Sequence, residues 1–277
     1  MKHTEGKFKG HNGLDIYYQY WEPEGDPKAV LLVAHGLAEH GGRYKNLVNY
    51  FVPKGYAVWA MDHRGHGKSE GTRSYIEKFD EYLTDLETFF GIVRKEHKTD
   101  KIFLVGHSLG GTIATAYMIE HQKDFDGGIL SGASLSQTAA VSPVLLAMAG
   151  IISALMPRMG VTILDAAALS KDQAVVDAYV NDPLVFRGKI PARMGAELVR
   201  MWKTLPEQMP KLKLPMLIMH GADDKLSSPE GSKILYEKVS SKDKTLKLYD
   251  GLYHEILNEP EHKKVMADIE AWLNKHL

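Results

Sequence analysis

Short apolar runs alternate along the chain with stretches whose apolar positions recur at helical spacing. The runs predict strands over residues 14–20, 29–34, 56–61, 102–105, 128–131, 216–220 and 245–249. Helical periodicity predicts helices over 43–53, 76–97, 109–121, 228–239 and 260–275. Strands that alternate with helices predict βαβ units around a mostly parallel sheet covered on both faces. Val30-Leu31-Leu32-Val33 and Met216-Leu217-Ile218-Met219 have no polar side, as central strands buried from both directions require. The alternation stops over residues 134–212, which are helical in pattern, rich in Met and Ala, and interrupted by prolines. This stretch is expected to be a helical cap, inserted between strands six and seven of an α/β core formed by residues 1–133 and 213–277. Such an insertion overhangs the sheet edge where ligands bind in open α/β folds.

Composition narrows the chemistry. Thirty-four Lys and Arg against thirty-five Asp and Glu leave a net charge of −1, which argues against nucleic acid as a partner. The absence of cysteine removes disulfides, thiolate metal sites and a thiol nucleophile. The N-terminus lacks the apolar core of a secretory signal, and no apolar run is long enough to span a bilayer, so a cytoplasmic location is expected.

Candidate chemistry centres on Gly106-His107-Ser108-Leu109-Gly110, which follows the apolar run Ile102-Phe103-Leu104-Val105 and precedes a helical stretch. A serine hydroxyl is a poor nucleophile unless it is held exposed beside a base. A sharp strand-to-helix turn flanked by small residues does this. A plain glycine-rich turn is the bland alternative. The base and its orienting acid are expected after later strands, in the order Ser, Asp, His. The strand at 216–220 runs into Gly221-Ala222-Asp223-Asp224, and that at 245–249 into Asp250-Gly251-Leu252-Tyr253-His254. His254 is therefore the expected base. Spacing leaves Asp223 and Asp224 equally eligible as the acid. Backbone N–H groups of Leu109, after the serine, and of Leu37, in the loop His35-Gly36-Leu37, are the expected oxyanion donors. His35 and His40 lack the further ligands zinc needs, so no metal site is expected.

Three segments together carry a family resemblance: His35-Gly36-Leu37-Ala38-Glu39-His40-Gly41-Gly42-Arg43-Tyr44, Asp62-His63-Arg64-Gly65-His66-Gly67-Lys68-Ser69, and the stretch around Ser108. The chain resembles the α/β-hydrolase superfamily, in its monoacylglycerol lipase and lysophospholipase-like branch. The resemblance implies Asp224 as the triad acid, because in the family that acid precedes a basic and an aliphatic residue, here Lys225-Leu226. It also implies that Glu39 and Arg43 line a small pocket for the glycerol headgroup; four residues apart, they are equally suited to a local ion pair that orders the loop. Mammalian members carry a second histidine three residues after the catalytic one, where this chain has Leu257.

The expectation is a serine ester hydrolase, without cofactor, acting on a monoacylglycerol or similar single-chain acyl ester. A broad carboxylesterase for short acyl chains is the main alternative, followed by a lysophospholipase and a catalytically silent binding protein on the same fold. The apolar stretch 143–152 is expected to line an acyl channel, with transient contact of the cap at a membrane interface as a second role. Oligomeric state leaves no trace in the sequence.

Overall fold

The computed structural model describes residues 1–98, 101–136 and 143–277. In chain order its elements are β1 (Lys2–Lys9), β2 (Asp15–Glu22), β3 (Ala29–Ala34), α1 (Lys45–Phe51), β4 (Tyr56–Met61), α2 (Asp80–Glu96), β5 (Lys101–His107), α3 (Leu109–Glu120) and β6 (Gly127–Ser131). Then come α4 (Pro143–Leu155), β7 (Gly160–Thr162), α5 (Gln173–Asn181), β8 (Ile190–Pro191) and α6 (Ala192–Gln208), followed by β9 (Met216–Gly221), α7 (Pro229–Lys238), β10 (Lys244–Tyr249) and α8 (His262–Leu273). One eight-stranded sheet runs in the order β1-β2-β4-β3-β5-β6-β9-β10. The β1–β2 and β2–β4 pairs are antiparallel, and every pair from β4 to β10 is parallel.

The all-apolar strands are the ones buried on both faces. Along β3, Val30 and Leu32 join the core layer under α2, α3 and α6, while Leu31 and Val33 face the layer under α1 and α8. β5 repeats the alternation with Ile102 and Leu104 against Phe103 and Val105, and β9 with Met216 and Ile218 against Leu217 and Met219. Leu31 and Leu32 are completely buried, so truncating either to alanine costs about 2–5 kcal/mol.

Three strands depart from expectation. β1 was not expected because Lys2–Lys9 is mostly polar; it pairs with β2 along its whole length as a charged edge strand. Inside the insertion, β7 and β8 form a two-stranded antiparallel ladder, although no strand was expected there. With three and two residues these strands are too short to show a period-two pattern. The other regular elements described between β6 and β9 are helices, joined by irregular stretches. Residues 137–142 of the expected cap lie outside the described residues.

Parallel registry brings the strand ends level. Ala34 pairs with Gly106, His107 with Ser131, and Ser131 with Met219. The loops carrying Leu37, Ser108, Asp224 and His254 therefore all leave the same edge of the sheet.

Candidate active site

Ser108 sits between β5 and α3 with φ 53° and ψ −119°, a conformation that L-residues avoid. Its neighbours explain why the flanking positions are glycine. A Cβ on Gly110 would lie 1.9 Å from the Ala34 carbonyl oxygen, and one on Gly106 would meet the Gly110 oxygen at 2.6 Å. The turn is pinned through its backbone: Ser108 N–H donates to Ser131 O at 3.1 Å, and Ser108 O accepts from Ser134 N at 3.0 Å and Gly111 N at 2.9 Å. A side chain held in such a strained turn stores about 1–3 kcal/mol, supplied by the packing around it.

His254, in the loop after β10, donates from Nδ1 to Asp224 Oδ2 at 2.7 Å. That bond leaves Nε2 as the other ring nitrogen. Asp224 Oδ1 accepts from the N–H groups of Leu226 and Ser227 at 2.8 and 2.9 Å, so the carboxylate is fixed in orientation. Burial opposes the charge on Asp224, but the adjacent His254 and His220 outweigh it and hold its pKa well below the usual carboxylate range. Burial likewise opposes an imidazolium at His254. The Asp224 charge and hydrogen bond prevail, with help from Glu255 and Glu39, and raise its pKa above the ordinary histidine value. Asp223 is exposed and its N–H is bound to Leu252 O, so of the two aspartates left open by spacing it is Asp224 that meets His254.

His220, the penultimate residue of β9, is completely buried and was not anticipated. Its Nε2 lies 3.0 Å from Asp224 Oδ2 and 3.2 Å from Ser227 O, both acceptors, so Nε2–H donates. Ser232 Oγ lies 2.7 Å from Nδ1. A polar residue closing an otherwise apolar strand, four positions before the acid, was the available signal. His107 is the other unforeseen imidazole. It donates from Nδ1 to Ser131 O at 2.9 Å, its ring lies 4.7 Å from that of His254, and burial and the nearby His254 push its pKa down to about 4.

The loop after β3 brings Leu37, Glu39 and Arg43 to the same edge. Leu109 opens α3, where a helix N–H has no partner one turn back. Glu39 Oε1 accepts from Gly36 N at 2.7 Å and Tyr44 Oη at 2.9 Å. Arg43 Nη1 donates to Glu39 Oε2 at 2.8 Å and to Glu255 Oε1 at 2.6 Å, and Nη2 donates to Glu255 Oε2 at 2.9 Å. Glu39 and Arg43 thus both form the local ion pair and line the cavity beside Ser108. Glu255, also unforeseen, completes the cluster. His35 and His40 enter separate networks: His35 Nε2 accepts from His63 N at 2.8 Å, and His40 Nε2 meets Asp182 Oδ2 at 2.9 Å.

A cavity of about 250 Å³ opens onto Ser108, Leu37, Leu109 and His254. Its walls are largely apolar, with Ala149 and Ile152 from α4, Val161 from β7, and Leu198, Val199 and Trp202 from α6. Glu39, Arg43 and Glu255 form a polar corner. Of the stretch expected to line a channel, the side chains of residues 143–147 lie outside the described residues. The insertion is fastened to the loops beneath it. Phe186 N–H donates to Ala38 O and Glu255 N–H to Leu169 O, each at 2.8 Å. Buried Glu259 accepts from Tyr253 N–H and from the Ser170 hydroxyl, both at 2.8 Å.

Comparison with known proteins shows the family. Residues 25–261 match the family described as Hydrolase_4: Serine aminopeptidase, S33. The chain is 40% identical over 274 residues to the monoacylglycerol lipase of Mycolicibacterium smegmatis, covering 99% of this chain and 98% of that one. It is 34% identical over 269 residues to the monoglyceride lipase of Mus musculus, covering 96% and 89%. The crystal structure of Paleococcus ferrophilus monoacylglycerol lipase superimposes with a TM-score of 0.84 at 29% identity, covering all of both chains. The chain belongs to the Hydrolase_4 (serine aminopeptidase, S33) family of α/β-hydrolases, beside its monoacylglycerol lipases.

Proposed function

We propose that the protein is a serine ester hydrolase that cleaves monoacylglycerols through an acyl-enzyme intermediate. The observation that carries this reading is an apolar cavity that meets a strained serine, a histidine–aspartate pair and a polar corner at one sheet edge. Its relatives named monoacylglycerol lipase support the same substrate class.

In this reading His254 Nε2 takes the Ser108 proton as Oγ attacks the ester carbonyl, and Asp224 stabilises the resulting imidazolium. The N–H groups of Leu37 and Leu109 receive the developing oxyanion. His254 then protonates the departing alcohol, and water activated by the same imidazole releases the fatty acid. The acyl chain occupies the apolar side of the cavity, and the glycerol faces Glu39 and Arg43.

The segment 134–212 acts as a cap over the site. Met148, Ile151, Leu155, Met156 and Ile163 are exposed on it, an apolar surface suited to transient contact with a lipid interface. Among the described residues, no helix is long and apolar enough to cross a membrane.

Hydrolysis of glycerol esters with acyl chains from four to eighteen carbons tests the reading. Turnover should peak at medium to long monoacylglycerols. A sharp optimum at short chains, with monoacylglycerols ignored, would instead establish a general carboxylesterase.

A further inference from the structure

The geometry points to Glu255 as the residue that selects the charge of the alcohol half of the substrate, admitting neutral polyols and rejecting anionic headgroups. This rests on the ester-hydrolase reading above and deepens it.

A lone arginine beside an ester site would attract phosphate or carboxylate. Arg43 is not alone. Both Nη1 protons are committed, one to Glu39 Oε2 and one to Glu255 Oε1, and Nη2 donates to Glu255 Oε2. The Tyr179 ring covers a face of the guanidinium, with its centroid 4.8 Å from Cζ. Paired with Glu39 alone, Arg43 would leave the corner neutral. Glu255 adds a second carboxylate, so two negative charges meet one positive charge.

No second Lys or Arg among the described lining residues restores the balance, and His254, which also lines the cavity, is neutral when it acts as the base. Among the described residues lining the cavity, Arg43 is the only Lys or Arg, whereas Glu39, Asp165 and Glu255 are acids. The cluster is buried, so water and salt screen its excess charge weakly. An anionic headgroup has two ways in, both costly. It can sit beside the excess negative charge, or it can displace Glu255 from Arg43 and leave a buried carboxylate without its cation. A polyol meets neither obstacle. Its hydroxyls donate to the one lone pair each carboxylate keeps, on Glu39 Oε2 beyond the bonds from Arg43, Gly36 and Tyr44, and on Glu255 Oε1 beyond those from Arg43 and Asn258. Glu255 is also tied in place at its backbone, through its N–H to Leu169 O, so it is not a side chain that swings aside with its loop.

The test compares kcat/KM for 1-acylglycerol and 1-acylglycerol 3-phosphate carrying the same acyl group, at butyryl and at lauroyl length. The wild-type protein should favour the neutral ester by at least about tenfold at both lengths, as repulsion from one buried charge implies. Glu255→Gln keeps the shape and removes the charge, and should narrow that preference by about tenfold or more. Comparable wild-type rates on the two esters would overturn the proposal. So would an undiminished preference in Glu255→Gln, which would make size the discriminator. If that variant does not fold, protection of Ser108 from a fluorophosphonate decides. Glycerol should slow labelling of the wild-type protein and glycerol 3-phosphate at equal concentration should not; equal protection counts against the role. Loss of lauroyl turnover with the charge preference intact on butyryl esters would strike the long-chain reading alone.

Discussion

His220 and His254 donate to the same oxygen, Asp224 Oδ2, at 3.0 and 2.7 Å. Asp224 therefore divides its charge between His254, the base in the proposed mechanism, and His220, a strand residue that holds it. Replacing His220 with alanine should concentrate charge on the bond to His254 and loosen the orientation of Asp224. The expected result is a kcat reduced on the order of tenfold, the worth of one charge-assisted hydrogen bond, together with a higher pH midpoint of the kcat/KM profile. A pH–rate series on the variant checks both. A fall in kcat with an unmoved midpoint would reduce His220 to a packing residue.

Ser108→Ala should cut kcat by about 10⁴-fold or more and abolish fluorophosphonate labelling. Ser108→Gly should do the same while raising stability by about 1 kcal/mol, because glycine adopts φ 53° without a Cβ penalty. Thermal melts of the two variants beside wild type measure the difference.

Asp224→Asn should lower kcat by about 10⁴-fold, since an amide facing His254 and His220 favours the wrong donor pattern. Asp223→Asn, on an exposed side chain, should stay within about twofold. Equal losses in the two would undo the assignment.

Activity should fall on the acid side with a midpoint above 6.5, the ordinary histidine value, because His254 works as a base only when neutral and its pKa is raised. A midpoint below that value would contradict the Asp224 coupling.

Stability should also be lost on acidification, through other histidines. Burial lowers the pKa of His35, of His63 to about 3, and of His66 and His107 to about 4. Their contribution is complete above about pH 6.5 and declines toward pH 4, where the unfolded chain takes up protons that the fold refuses. Each histidine adds up to about 1.4 kcal/mol per pH unit in that window. His254 has the opposite sign, since its contribution is complete at low pH and lost as pH rises through its raised pKa. Urea midpoints at pH 7, 5.5 and 4.5 should drop steeply, and His66→Gln should flatten the slope by about one proton.

Much of this was legible in the sequence. Runs such as Val30–Val33 and Met216–Met219 declare central strands because they have no polar face to spare, and their ends locate the site loops. That Ser108 and His254 would reach one sheet edge follows from motif and order, whereas the pairing of His254 with Asp224 rather than Asp223 needed the family resemblance and then the geometry. β1 went unread because an edge strand needs only backbone pairing. His220 and Glu255 were silent for a related reason. Their importance lies in partners at Asp224 and at Arg43, and the contact between Glu255 and Arg43 spans 212 positions of chain.

The hydrogen bonds from Phe186 to Ala38 and from Glu255 to Leu169, with Glu259 bridging Tyr253 and Ser170, tie the inserted segment to two of the site loops. The segment is therefore no detachable module. A chimera that imports another protein's insertion to change acyl preference would also import new fastenings for the loops that carry Leu37 and His254. Transplants that carry residues 169–171 and 186 unchanged should keep their rate while changing their range, and those that replace them should lose both together.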